Sequence, residues 1–206
     1  AARLPVAPGR AASTADEAVQ AADALGYPVA MKLDSREVVH KTDVGGVLLG
    51  LEDPGAVRAA FDRIGERLAA DGRSGAMDGV WVQPMVTGGV EVMAGMTEDD
   101  VFGPVVAFGL GGVQVEILAD VSFRITPLTD VDAHQMVRSI RGRRLLEGYR
   151  GHPAIDLDAV EELLMRVSCL AEEVPEIDDL DLNPVFAFGP GRGLSIVDAR
   201  IHVSAR

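Results

Sequence analysis

Strand-like apolar runs alternate with helix-patterned segments along nearly the whole chain, and this alternation leaves few folds open. Residues 27–33 (YPVAMKL), 47–51, 79–86 (GVWVQPMV), 90–96, 103–108, 113–118, 180–188 and 194–199 read as strands, being short, apolar and bounded by glycine, proline or polar clusters. Residues 123–127 are expected to be extended. Between them lie helices with recognisable starts. Thr14 with Glu17 three residues on is a capping-box pattern for a helix that Gly26 ends. Asp53-Pro54 places proline in the first turn of a helix reaching about Ala70. Thr129 opens a helix to about Ile140, residues 143–147 form a short one, and residues 156–174 form the longest amphipathic one. Thr87-Gly88-Gly89 predicts a hairpin-like turn between the strands at 79–86 and 90–96. There is no 20–50-residue repeat, heptad seam or low-complexity tract. The pattern predicts an α+β (or α/β) protein of two lobes, 1–101 and 102–206, with a cleft between them rather than a linker.

Composition narrows the partners. The 206 residues are 48% apolar and 25% charged, enough for a sizeable core. No apolar run approaches the ~18–20 residues of a membrane span, and no signal peptide opens the chain. The single cysteine, Cys169, excludes an internal disulfide framework and a cysteine-cluster zinc site, so a cytoplasmic protein is expected. A net charge of −13 argues against nucleic acid or an anionic membrane as a partner bound through bulk charge. It leaves room for a small anion, because a glycine loop can hold phosphate in a negative protein. The start Ala-Ala-Arg, without methionine, suggests a piece of something longer.

Four groups of residues invite a chemical reading. Lys32 stands inside an apolar strand, where an ammonium needs an anion such as phosphate, unless the strand is an edge and the lysine faces water. Residues 40–46 (HKTDVGG) form a polar loop ending in Gly45 and Gly46, either a phosphate cradle of backbone N–H groups or an ordinary turn. Neither a Walker loop nor a G-x-G-x-x-G turn is present. Asp181 and Asn183 face one side of a strand, and a paired strand would bring Asp198 beside them. Two carboxylates and an amide oxygen suit Mg²⁺; a solvated acidic strand end is the alternative, with Asp178 and Asp179 adjacent. Gly109-Leu-Gly-Gly112 with Glu116 is either a ligand loop or a tight interlobe turn. His134, His152 and His202 lack spacing partners and read as surface residues. Cys169, Trp81 and most methionines are expected on core faces, with Met85 at a strand end. No serine-hydrolase elbow is visible.

Taken together, the segments YPVAMKL (27–33), HKTDVGGV (40–47), VQPMVTGGVEV (82–92), residues 102–128, LLEGYRG (145–151), DLDLNP (179–184) and VDARI (197–201) resemble the ATP-grasp domain of NDP-forming acyl-CoA synthetases. They are more distantly similar to the succinyl-CoA synthetase β subunit. The resemblance covers nearly the whole chain in order. It implies two lobes with ATP or ADP held between them and Mg²⁺ at the phosphates. It implies ligation of an acid to coenzyme A through an acyl phosphate and a phosphohistidine. By the same resemblance Lys32 reaches nucleotide phosphates and the loop of His40, Gly45 and Gly46 covers them. Gln83, Met85 and Val86 form the hinge whose backbone reads adenine, and Glu91 contacts the nucleotide or ribose. Asn183 and Asp198 are the magnesium ligands. Asp181 meets the phosphohistidine, and His40 relays the phosphoryl group. The CoA-binding domain or α subunit, with the principal phosphohistidine and the choice of acid, has no counterpart here, so it is expected as a partner. Two rivals share the fold. One is a synthetase-like regulatory or scaffold domain of a protein acetyltransferase, marked by loss of the histidine or magnesium residues, all of which are present. The other is a carboxylate–amine ligase, against which the HKTDVGG loop speaks.

Overall fold

The computed structural model describes residues 3–38, 41–112, 120–151 and 153–204. Contacts divide the chain into a smaller unit, residues 7–85, and a larger one of residues 3–6 with 86–204.

The smaller unit runs β1 (Arg10–Ala12), α1 (Ala15–Leu25), β2 (Val29–Asp34), β3 (Val47–Leu51), α2 (Pro54–Ala70) and β4 (Gly79–Pro84). Its antiparallel sheet has the order β1-β4-β2-β3. Both helices begin as their sequences require. The Thr14 hydroxyl accepts from the Glu17 amide, and the Asp53 carboxylate accepts from the Ala56 amide at 2.8 Å, each satisfying an orphan N–H of the first turn. Helix residues Ala18, Ala22, Val57, Ile64 and Leu68 bury against Met31, Leu33, Val80 and Val82 on one face of the sheet. Gly79 lets β1 approach, since a Cβ there would stand 2.6 Å from the Ala12 carbonyl oxygen.

The larger unit runs β5 (Val90–Asp99), β6 (Gly103–Leu110), β7 (Val121–Ile125), α3 (Asp130–Ser139), α4 (Arg143–Glu147), α5 (Leu157–Glu173), β8 (Ile177–Ala187), β9 (Leu194–Ile196) and β10 (Ala199–Val203). The antiparallel sheet has the order β10-β8-β5-β6-β7, and β9 also pairs with β8. Thr129 and Asp132 cap α3 reciprocally. Asp156 caps α5 and also accepts from the Gly193 amide at 2.9 Å, tying the helix start to the loop between β8 and β9. Met136, Leu163, Leu164 and Val167 pack with Phe108, Leu180 and Leu182 in the core on one face of the sheet. Residues 3–6 join this unit through a bond from the Ile196 amide to the Pro5 carbonyl.

Several expectations need correction. The strands at 79–86 and 90–96 do not form a hairpin: β4 pairs with β1 and β2, whereas β5 pairs with β6 and β8. Gly88 and Gly89, both at positive φ, carry the chain from one sheet to the other. The division expected after residue 101 falls in the turn joining the paired strands β5 and β6, while contacts divide at residue 86. The last strand is two strands, β9 and β10, interrupted at Val197-Asp198. Cys169 is exposed, its neighbours Val167 and Ser168 taking the buried positions, and Trp81 is 40% exposed on the face away from the helices. The expected strand at 113–118, with Glu116, and His40 and His152 lie outside the described residues.

Candidate functional site

In the smaller unit, strand alternation assigns the faces. Met31 and Leu33, opposite Val82 and Val80, point to the helices, so Ala30 and Lys32, opposite Gln83 and Trp81, point the other way. Lys32 and Gln83 therefore share one face, and both are buried, at 7% and 2% exposure. β2 lies inside the sheet, which excludes the edge-strand reading of Lys32. Among the described residues no fully buried side-chain nitrogen or oxygen lacks a partner.

The glycine-ended loop leads into β3. Its glycines are held within the protein: the Gly45 amide donates to Thr42 O at 2.9 Å, the Gly46 amide to Lys41 O at 2.7 Å, and Gly46 O accepts from the Leu33 amide at 2.7 Å. These two amides serve loop geometry, as in the ordinary turn that is one of the two readings of this segment. Gly45 has φ +63°, a conformation that favours glycine. Its carbonyl accepts from the Arg67 guanidinium at 2.6 Å. The segment expected to read adenine begins beside β2, where the Met85 amide donates to Pro28 O at 3.0 Å. Met85 and Val86 are both partly exposed.

In the larger unit, β8 brings the acidic candidates together. Leu180 and Leu182 enter the core, so Asp179, Asp181 and Asn183 face away from it. The pairing with β5 shifts register here: Ala94 opposes Leu182 and Val92 opposes Val185, leaving Asn183-Pro184 as a bulge. Proline, with no N–H to donate, is tolerated at such a point. The bulge coincides with the break between β9 and β10. There the Asn183 amide donates to Asp198 O at 3.2 Å and the Val197 amide donates to Pro184 O. Asn183 and Asp198 thus stand side by side as expected. Asp181 lies between Gly95 of β5 and Arg200 of β10. Burial pushes its pKa up; the Arg200 charge partly offsets this, while Asp179 and Asp198 add to it.

Arg200 was not singled out from the sequence, although it lies two residues beyond Asp198 in the VDARI segment. Glu91 is exposed opposite Phe186, further along β8 than Asn183. Gly111 and Gly112 pack against it, the Gly111 amide donating to Glu91 O at 2.7 Å. The cluster at 109–112 thereby has a packing role within the larger unit.

The donor set at the bulge suits a hard cation that keeps water. The Asn183 and Asp198 backbones are bonded there, and their side chains carry an amide and a carboxylate oxygen; no group of three His, Cys, Asp or Glu side chains able to hold a metal occurs among the described residues. Such a two-ligand arrangement fits Mg²⁺, which takes its remaining ligands from water and phosphates.

The chain matches the ATP-grasp domain family over residues 1–203. Acetate–CoA ligase (ADP-forming) I of Archaeoglobus fulgidus is 45% identical over 200 residues, which cover 96% of this chain and 28% of that protein. Acetate–CoA ligase (ADP-forming) II subunit beta of Pyrococcus furiosus is 42% identical over 199 residues, covering 96% of this chain and 84% of the subunit. The chain therefore spans less than a third of the first relative and most of the second. Among solved structures, a dinucleotide-forming acetyl-coenzyme A synthetase 1 of Ca. Korarchaeum cryptofilum, bound to coenzyme A and Ca-AMPCP, superposes with a TM-score of 0.94 at 40% identity. The match covers 98% of this chain and 88% of that one. The same synthetase with Mg-AMPPCP, its phosphohistidine segment pointing towards the nucleotide site, gives 0.84 at 39% identity, with 98% and 87% covered. With a family match along almost its whole length, the chain belongs to the ATP-grasp family, in the company of the beta subunits of ADP-forming acetate–CoA ligases.

Proposed function

We propose that the chain is the nucleotide-handling part of an NDP-forming acyl-CoA synthetase. It exchanges a phosphoryl group reversibly between ATP or ADP and a histidine, within the overall conversion of acid, coenzyme A and ATP to acyl-CoA, ADP and phosphate. The observation that carries this reading is the apposition of Asn183 and Asp198 at the β8 bulge, with Asp181 two residues away on the same strand. In this reading Asn183 and Asp198 hold Mg²⁺, which neutralises phosphate charge when bound. Lys32 contributes a fixed positive charge to the nucleotide phosphates. Residues 83–86 contact the base, Glu91 contacts the ribose or nucleotide, and the loop of His40, Gly45 and Gly46 covers the phosphates. Asp181 accepts the N–H of an imidazole, orienting the other nitrogen towards phosphorus. The CoA-binding step, the principal phosphohistidine and the choice of acid belong to a partner domain or α subunit, and the place of action is the cytoplasm. No described helix is long and apolar enough to cross a membrane.

The test is reconstitution. The chain alone binds ATP but forms no acyl-CoA from acid and coenzyme A; adding the CoA-binding partner segment restores synthesis with ADP release. Acyl-CoA formation by the isolated chain would overturn this division of labour.

A further inference from the structure

The glycine-ended loop is held from a side that the proposed chemistry does not use. Arg67, in the last turn of α2, reaches across 22 residues of sequence to donate to the Gly45 carbonyl at 2.6 Å. Gly45 is at φ +63°, and a Cβ there would collide with the same guanidinium. The next carbonyl, that of Gly46, is bonded to the Leu33 amide, directly after Lys32. On the side of α2 the loop borders an open hollow of about 590 Å³, while its Val44 packs against the core that α2 helps to form. Residues 42–45 line one wall, with Arg67, Ala70 and Asp71 opposite. Beside that packing, the Arg67 bond is a direct hydrogen bond between loop and helix.

We propose that Arg67 is a positioning residue for nucleotide binding: it clamps the Gly45 end of the loop against α2 and fixes where the rest of the loop stands over phosphate. This rests on the reading of the loop as a phosphate cover. The guanidinium acts through the loop and touches no nucleotide. Arginine suits the role because its planar donors hold direction better than a lysine ammonium. Gly45 suits it because the carbonyl points at Arg67 only from a backbone conformation that other residues rarely adopt.

The experiment compares wild type, Arg67→Ala, Arg67→Lys and, as a control, Arg58→Ala, which removes an arginine from the same helix where it pairs with Asp16. Two quantities are read: amide hydrogen exchange over residues 41–46, and affinity for ATP·Mg²⁺ by calorimetry. Arg67→Ala should speed exchange of the Gly45 and Gly46 amides and weaken ATP·Mg²⁺ about two- to tenfold, the scale of one net hydrogen bond. Arg67→Lys should fall between, and Arg58→Ala should match wild type in both. Unchanged loop exchange in Arg67→Ala overturns the clamp. Faster exchange with unchanged affinity overturns its role in binding, and an equal loss in Arg58→Ala reduces the effect to bulk charge. Wild-type protein that binds no nucleotide would instead defeat the reading of the loop itself, a result distinct from variant and wild type binding equally.

Discussion

The two units solve the same packing problem and leave different chemistry on their free faces. Each lays two main helices on one side of an antiparallel sheet and buries alternate strand residues beneath them. On the other side, the smaller unit keeps Lys32 on an inner strand at 7% exposure. The larger unit instead puts Asp181, Asn183 and Asp198, all partly exposed, where β8 bulges and its partner strand breaks. The contrast follows from what each group binds in the proposed function. A lysine packed within a sheet has a fixed ammonium position, useful against phosphate and costly to desolvate without an anion. Carboxylate and amide ligands for Mg²⁺ need water beside them, because the ion keeps part of its hydration shell. A strand irregularity supplies that access without unravelling the core, since Leu180, Leu182, Val185 and Ala187 stay buried on both sides of it.

If the comparison holds, changes in the smaller unit act on nucleotide binding and phosphoryl transfer, and changes in the larger unit act on metal, pH response and stability and, at Asp181, on phosphoryl exchange. The largest effect is expected at His40. With the CoA-binding partner supplied, His40→Ala should abolish ATP-driven acyl-CoA synthesis while sparing acyl-phosphate formation from acyl-CoA and phosphate in the partner. ADP production at the wild-type rate would leave His40 a loop residue. Next comes Lys32→Ala, which should weaken ATP about 10- to 100-fold, the equivalent of one charge-assisted contact of roughly 1.5–3 kcal/mol. Calorimetry on the folded variant decides, and equal affinities would remove the cation from the contrast.

Asp156→Ala belongs to the larger unit's scaffold and should cost about 1–2 kcal/mol of stability through loss of the α5 cap. The Gly193 amide, then the Ala159 amide, hold the Asp156 pKa low despite opposing burial. Its contribution is therefore present at neutral pH and lost as pH falls through its lowered folded-state pKa. Chemical denaturation at pH 7 and pH 3 should show the penalty shrinking at the lower pH. The smallest effect is at Asp181, whose pKa burial raises above the ordinary 3.8. A raised carboxyl binds its proton more tightly in the folded state, so stability is lost as pH rises from the ordinary value through the raised folded-state value. Without divalent cations, Asp181→Asn should melt slightly above wild type at pH 7, with the difference closing below about pH 4. The same variant should impair phosphoryl exchange with ADP more than ADP binding. A variant that melts lower at pH 7 would contradict the electrostatic description of this face.

Much of this was legible in the sequence where the determinant is local. Thr14, Asp53, Thr129 and Asp156 each mark a helix start, because a cap is chosen by its own first turn. The apolar setting of Lys32 left burial and a water-facing edge position both open, whereas the spacing of Asp181 and Asn183 foretold their shared face. What stayed hidden depends on distant pairing. Thr87-Gly88-Gly89 has the composition of a hairpin turn, yet β1 and β2 take the partners that β4 would have offered β5. The gap between β9 and β10 follows from the bulge on β8, a register event with no local signature in residues 194–199. Gly45 and Gly46 fitted either a cradle of free amides or an ordinary turn, and Thr42 O and Lys41 O claim their amides. Neither Arg67 nor Arg200 stands out, because each gains its meaning from a residue on another element, Gly45 and Asp181 respectively.

The central claim is that this chain binds nucleotide with Mg²⁺ held at the β8 bulge, and coupled calorimetric titration tests it most directly. ATP affinity is measured with and without Mg²⁺ for wild type and Asp198→Ala. The account predicts that Mg²⁺ strengthens ATP binding to wild type, that Mg²⁺ alone binds weakly, and that Asp198→Ala still binds ATP but gains nothing from the ion. An Asp198→Ala protein with undiminished Mg²⁺ enhancement would place the metal elsewhere and contradict it.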